Sequence, residues 1–269
     1  QPAGFVLDDT VYPVSIGKDA QVLEIKIVNK YIRGNIHLTK VDAEYPDNKL
    51  TGATFEVYKD SNGSGKLDDG DELLGTLAEK EIGSYEMKDL FYGRYFVKET
   101  KAPEGFVLDT GVYEVMIDTD GKTCEVENKA GVGFINEAMR GNLKIVKTSS
   151  DGKIKGFAFR ITGANGYDII LETNDKGEIV IEGIRIGDYT VSEVSNSASA
   201  MYVLPADKKA TVKTGSTTIV EMHNVLRDTP KTGDATNLPL LYALAGLSAV
   251  GIAVTAFVGF KKKKKEGND

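Results

Sequence analysis

Two stretches decide the fold: IVNKYIRGNIHLTK, residues 27–40, and FINEAMRGNLKIVK, residues 134–147. They align without a gap, placing Asn29 on Asn136, the Arg-Gly-Asn of 33–35 on that of 140–142, and Lys40 on Lys147. A long stretch that recurs in register marks tandem copies of one structural unit. Upstream, PAGFVLDDTVY (2–12) matches PEGFVLDTGVY (103–113), so the opening segment corresponds to the last third of the unit that follows it. A looser third copy shows in Tyr95-Phe-Val-Lys-Glu99 against Tyr189-Thr-Val-Ser-Glu193, and in Gly52–Val57 against Gly156–Ile161. The strand IVEMHN (219–224) ends on Asn, as LEIKIVN (23–29) does. The reading is a C-terminal part of a truncated β-sandwich domain at 1–31, a full unit at 32–138, and a shorter one at 139–227.

Each unit is built from short alternating runs rich in Val, Ile, Tyr, Phe and Thr, such as Ile36–Lys40, Phe55–Tyr58 and Tyr113–Ile117, broken by Gly, Asp and Asn. That pattern predicts small antiparallel, Ig-like sandwiches, and no convincing amphipathic helix precedes residue 238.

Alternation with period two says which side chains enter each core. Ile36, Leu38 and Lys40 share a face, with His37 and Thr39 opposite. Tyr95, Val97 and Glu99 share another, opposite Phe96 and Lys98, and Val132, Phe134 and Asn136 fall together. In the next unit the same count gives Leu143, Ile145, Lys147; then Tyr189, Val191, Glu193; then Val220, Met222, Asn224. Every apolar face ends on one polar residue, and each unit supplies one Lys, one Glu and one Asn. Lys and Glu are rarely buried unpaired. One reading is a buried ion pair with Asn as a hydrogen-bonding bystander. The other is chemical: desolvation lowers a lysine pKa and raises that of a glutamate, favouring neutral amine and neutral acid. The amine is then a nucleophile, and the acid can hydrogen-bond the Asn carbonyl and carry the proton as ammonia leaves. The product is an amide between the first and last strands. Asn128 is a competing acceptor, although the gap-free match of Asn29 favours Asn136.

Between strands of the 32–138 unit lies DSNGSGKLDDGD, residues 60–71. Asp60, Asn62, Ser64, Asp68 and Asp71 stand at positions 1, 3, 5, 9 and 12 of an EF-hand-like spacing that could wrap calcium. Position 12 is Asp rather than a bidentate Glu, and no helices flank it, so a Gly/Asp-rich hairpin loop is the competing reading. No other cofactor is implied.

The chain of 269 residues is 41% hydrophobic and carries a formal charge of −7. Five lysines against Glu266 and Asp269 make the tail from Lys261 basic by three, leaving −10 for the rest. An acidic body argues against nucleic acid as a partner. Cys124 is the only cysteine, so no intrachain disulfide can staple the modules.

The last forty residues differ in kind. Thr229-Pro230-Lys231-Thr232-Gly233 and a short linker (228–237) precede an uncharged apolar run, Leu238 to Phe260. Twenty-three residues of helix suffice to cross ~30 Å of hydrocarbon at ~1.5 Å per residue. The basic tail 261–269 then stays cytoplasmic.

Two resemblances follow from these residues. The pentapeptide, apolar segment and basic tail resemble the cell-wall sorting signal of Gram-positive surface proteins, LPXTG, with Thr229 in place of Leu. That implies cleavage by a sortase between Thr232 and Gly233, and transfer of Thr232 to a peptidoglycan or pilin amine. The membrane span would be transient and the product covalently wall-anchored at the cell surface. YFVKETKAPEGF (95–106) resembles the "E-box" of collagen-adhesin B-type and pilin domains. That family has a prealbumin-like sandwich fold and forms intramolecular isopeptide bonds. The implied bonds join Lys40 to Asn136 and Lys147 to Asn224, assisted by Glu99 and Glu193. After Glu193 the chain reads Val-Ser-Asn-Ser-Ala-Ser-Ala and lacks the Ala-Pro-x-Gly turn.

The expected function is a surface stalk, adhesin or minor pilin subunit. The alternatives are an adhesin module binding a host or matrix ligand, and the non-catalytic C-terminal region of a surface enzyme. The Lys/Glu/Asn set reacts once, on itself, and turns nothing over.

Overall fold

The computed structural model describes residues 2–227, and every regular element in them is a strand. The first sandwich comprises β1 (Arg33–Asp42), β2 (Thr54–Lys59), β3 (Glu72–Thr76), β4 (Ala78–Glu81), β5 (Ser84–Phe91), β6 (Gly93–Lys101), β7 (Val112–Ile117), β8 (Thr123–Glu125) and β9 (Phe134–Asn136). The second comprises β10 (Arg140–Ser149), β11 (Ala158–Thr162), β12 (Asp168–Glu172), β13 (Glu178–Arg185), β14 (Gly187–Val194), β15 (Tyr202–Val203), β16 (Lys208–Val212) and β17 (Thr217–Leu226).

In the first sandwich one sheet runs β4-β5-β1-β8, with β9 also on β1, and the other runs β3-β2-β6-β7. The second repeats the plan as β13-β10-β17-β15 and β12-β11-β14-β16. The first sandwich is not purely antiparallel, as the short alternating runs suggested. β1 pairs parallel with both β8 and β9, because the chain returns beside its own first strand after crossing to the other sheet.

The expected faces are the buried ones. Ile36, Leu38, Phe55, Val57, Tyr95, Val97 and Phe134 are each at most 1% exposed and form one core with Tyr85 and Ile117. Fully burying such a side chain contributes roughly 1.5–3 kcal/mol. Phe96 departs from the pattern: it sits on the other face of β6 yet is 2% exposed, flanked by Tyr58 and Glu114 on the neighbouring strands. Val132 lies outside any strand and is only half-buried.

β9 reaches β1 through a glycine. Gly133 has φ +124°, and a Cβ there would stand 2.7 Å from the carbonyl oxygen of Thr39. Only glycine permits both the backbone angle and that approach. Residues 6–31 form no strand and leave Leu7, Val11, Ile16, Val22, Ile25 and Ile27 exposed. The predicted span Leu238–Phe260 lies outside the described residues; among these, no helix is long and apolar enough to cross a membrane.

Candidate functional site

Lys40 lies on the buried face of β1, two residues before the buried Asp42. On β9, Phe134 pairs with Lys40 and Asn136 with Asp42. Asn136 is two residues beyond Phe134 and so points into the core on the same side as Lys40. Glu99 stands opposite on β6, paired with Phe55. Three strands from two sheets thereby deliver one polar group each to one point. Lys40 and Glu99 are 0% exposed and Asn136 3%.

The contacts are close. Lys40 Nζ donates to Asn136 Oδ1 at 2.7 Å and to the Phe134 carbonyl at 3.0 Å. Asn136 Nδ2 donates to both Glu99 oxygens at 3.0 Å, and Glu99 Oε1 lies 4.0 Å from Lys40 Nζ. The Asp109 amide donates to Glu99 Oε2 at 2.8 Å. The Phe134 ring lies 5.3 Å from the Lys40 nitrogen and packs edge-on against Phe55 and Tyr113.

Burial pushes Lys40 down to about 8, against the pull of the Glu99, Asp109 and Asp42 carboxylates. Burial also raises Glu99, against the Asp109 amide, Asn136 and Lys40. Desolvation therefore outweighs mutual attraction for both partners, as it commonly does for a buried pair. The amide faces its oxygen to the amine and its nitrogen to the carboxyl, which suits the ammonium–carboxylate form. The sequence had led us to expect the acid on the Asn carbonyl; that contact belongs to the neutral pair, with the amide turned over.

Asn128 is engaged elsewhere, and the Lys40 amine donates to Asn136 and Phe134 instead. The Asn128 amide donates to Asp109 Oδ2 at 2.6 Å and to the Ile135 carbonyl at 2.8 Å, and its Oδ1 accepts from Ile135 N–H at 2.6 Å. Asp109 is the residue that sequence reasoning passed over. Burial acts against its carboxylate, yet hydrogen bonds from Asn128, Gly111 and Tyr113 hold its pKa below the ordinary value. A signal was present: the repeat of 2–12 in 103–113 keeps Asp and Tyr four apart. Tyr12 bonds Asp8 at 2.6 Å as Tyr113 bonds Asp109 at 2.8 Å.

In the second sandwich Lys147 is 1% exposed, Glu193 8% and Asn224 0%. Asn224 Nδ2 donates to Glu193 Oε1 at 2.7 Å. Lys147, however, donates to the carbonyl of its neighbour Thr148, with its nitrogen 4.0 Å from the centre of the Phe157 ring. Asn224 Oδ1 and Glu193 Oε2 are buried with no hydrogen-bond partner among the described residues. Burial lowers Lys147 and raises Glu193, the same directions as in the first sandwich.

The acidic loop of 60–71 is closed by its own hydrogen bonds. Asp60 Oδ2 accepts from Gly65 N–H, and Asn62 donates to Asp68 Oδ1. Asp71 accepts from the amides of Ser61 and Asp68, while Ser64 donates to the Lys66 carbonyl. Arg94 Nη1 stands 3.5 Å from Asp60 Oδ2. Among the described residues no three His, Cys, Asp or Glu side chains are grouped to hold a metal ion. Thr229, Pro230, Lys231, Thr232 and Gly233 lie outside the described residues.

A family model described as SpaA, prealbumin-like fold domain, matches residues 34–130 and 141–226. Among solved structures, the Bacillus anthracis TIE protein aligns with TM-score 0.60 and 24% identity over 84% of this chain and 40% of that one. This chain thus spans well under half the length of that protein, and the likeness is one of fold. A streptococcal ancillary pilin (19% identity, TM-score 0.33) is aligned over 79% of this chain and 69% of its own. GBS52, the minor pilin of Streptococcus agalactiae (18%, TM-score 0.34), is aligned over 75% and 99%. No curated protein matches the chain.

Proposed function

From a chain that belongs to the SpaA family of prealbumin-like fold domains, we propose a surface-exposed, pilin-type structural module that cross-links itself and is anchored to the Gram-positive envelope. One observation carries the reading: a buried lysine nitrogen 2.7 Å from the side-chain oxygen of an asparagine whose amide nitrogen sits on a buried glutamate. Reacting groups held this close and dry need little further ordering, which is where most intramolecular acceleration originates.

The reaction begins with one proton passing from Lys40 to Glu99, giving neutral amine and neutral acid. The Lys40 Nζ lone pair adds to Asn136 Cγ, forming the N–C bond. Glu99 relays a proton from Nζ to Nδ2, the Cγ–Nδ2 bond breaks, and ammonia leaves. Glu99 is left as the neutral acid, holding the proton it first took from Lys40, so the step balances without a cofactor. Lys147, Glu193 and Asn224 carry the same chemistry in the second sandwich once Lys147 swings from Phe157 to Asn224.

Thr229–Gly233 is the sortase substrate, with Thr232 the acyl donor to an envelope amine, and 238–269 holds the precursor at the membrane until transfer. Tension on the anchored chain then bypasses residues 41–135 and 148–223. Intact mass spectrometry tests the chemistry. We expect the mature chain to weigh one ammonia less for each link, with Lys40→Ala and Glu99→Ala each restoring one. A mature chain of unmodified mass overturns the reading. Anchoring is tested separately: Thr232→Ala should leave the chain in the membrane fraction.

A further inference from the structure

A second set of polar groups, part-buried in the first sandwich, has no part in the reaction just described, and it centres on Asp109. Its backbone N–H holds Glu99 Oε2 at 2.8 Å. Its side chain is fixed by three donors: Gly111 N–H at 2.6 Å on Oδ1, and Tyr113 Oη at 2.8 Å and Asn128 Nδ2 at 2.6 Å on Oδ2. Asn128 then brackets Ile135, accepting from its N–H and donating to its carbonyl. Ile135 is the residue before the acceptor Asn136, in a strand only three residues long. So short a strand has few ladder bonds of its own, and the Asn128 bracket adds two. One residue therefore ties the glutamate, through its backbone, to the acceptor strand, through its side chain. A cleft of about 310 Å³ lined by Asp109, Tyr113, Asn128 and Asn136 adjoins this point and gives departing ammonia a way out.

The second sandwich is an internal control. Its last strand, β17, runs unbroken over Thr217–Leu226, where the first sandwich interrupts the return between β8 and β9 with the segment that carries Asn128. The residues after Glu193 do not return an amide to its carboxyl. The two buried atoms without partners, Glu193 Oε2 and Asn224 Oδ1, correspond to the two that Asp109 N–H and Lys40 Nζ satisfy in the first sandwich.

We propose that Asp109 and Asn128 are positioning residues for the Lys40–Asn136 reaction, and that the second sandwich, lacking them, cross-links more slowly. This rests on the cross-linking reading above. The test is a time course on the full chain made by cell-free synthesis in detergent. Samples are quenched in denaturant and digested, and each cross-linked peptide is quantified by mass spectrometry. Rates are taken at low temperature with folding followed by near-ultraviolet circular dichroism, so loss of stability alone does not register. We expect Asn128→Ala to slow the 40–136 link at least tenfold in folded protein, and Tyr113→Phe, a milder change at the far side of Asp109, to slow it several-fold. The 147–224 link in the unaltered chain should lag at least tenfold. If Asn128→Ala does not fold, Tyr113→Phe decides. Wild-type rates in the folded variants, with Glu99→Ala still blocking the link, overturn the positioning role and leave the chemistry standing; equal rates for the two sandwiches overturn the comparison. No link in the unaltered chain overturns the underlying reading instead.

Discussion

Combining Lys40→Met with Glu99→Gln separates a covalent staple from a buried ion pair. The double change matters. Removing one partner alone leaves an unpaired buried charge and costs roughly 3–5 kcal/mol whatever the truth, whereas replacing both is often neutral or stabilising. Met matches the unbranched lysine stem, and such volume-conserving exchanges usually cost less than about 1.5 kcal/mol. The amide oxygen introduced by Glu99→Gln still accepts the Asp109 N–H, and with the amine gone the Asn136 amide can turn to face it. What the double variant loses, if Lys40 is joined to Asn136, is the constraint on the unfolded chain. The two residues are 96 apart, and closing a loop of that size contributes about 4.7 kcal/mol by the chain-entropy argument made for disulfides. At roughly 4–8 °C per kcal/mol for a domain near 100 residues, Tm should fall by about 20 °C or more. The assay is differential scanning calorimetry of the chain, with intact mass recorded on the same samples. The first-sandwich transition should drop while the second stays in place. A Tm unchanged within about 5 °C, or raised, refutes the staple and leaves the ion pair.

Three further outcomes are expected. The rate of the 40–136 link should be bell-shaped in pH. The reactive pair holds one proton between amine and acid, so the rate falls below the raised Glu99 value, where both are protonated, and above about 8, where Lys40 and Glu99 are both deprotonated; a rate still climbing well above pH 8 would remove Glu99 from the proton path. Single-molecule pulling on the mature chain should show almost no extension from the first sandwich, whereas Lys40→Ala should release residues 41–135, about 330 Å at ~3.5 Å per residue; a full-length step from the unaltered chain contradicts the load path. Gly133→Ala, which forces a side chain against Thr39 at a left-handed φ, should cost about 1–3 kcal/mol by urea unfolding in a Glu99→Ala background, and no measurable cost would show that β9 enters beside β1 by another route.

Much of this geometry was legible before any coordinates, because period-two alternation is a local property. It placed Lys40, Glu99, Asn136, Lys147, Glu193 and Asn224 inside, and all six are buried. Alternation fails where burial is decided across strands: Phe96 points away from the Tyr95–Glu99 face and is buried regardless. It is also silent on strand direction. The parallel pairing of β1 with β9 arises from how the chain crosses between sheets, yet it sets the register that brings Asn136 to Lys40.

What the pattern could not separate was the two sandwiches. Lys147, Glu193 and Asn224 read as a second copy of the same set, and the E-box resemblance weakens only after Glu193. The structure divides them by groups that no alternation marks. An amide from a turn ten residues past Glu99 holds that carboxyl, and an asparagine in an interrupted return strand holds the acceptor's neighbour. Both lie in irregular backbone, where hydrogen-bond partners depend on the path of the loop. Buried polar groups left unsatisfied are costly, and the second sandwich carries two of them where the first carries none in its Lys/Glu/Asn set. An amide bond between Lys147 and Asn224 would put one lysine N–H in place of the Asn224 amide hydrogens that now face Glu193 Oε1, so the link adds no donor for either orphaned oxygen. On the proposed reading the second sandwich would still gain stability from its link through the constraint on the unfolded chain, as the first would, while lacking the groups proposed to hasten it. Driving force and rate would then be set by different residues.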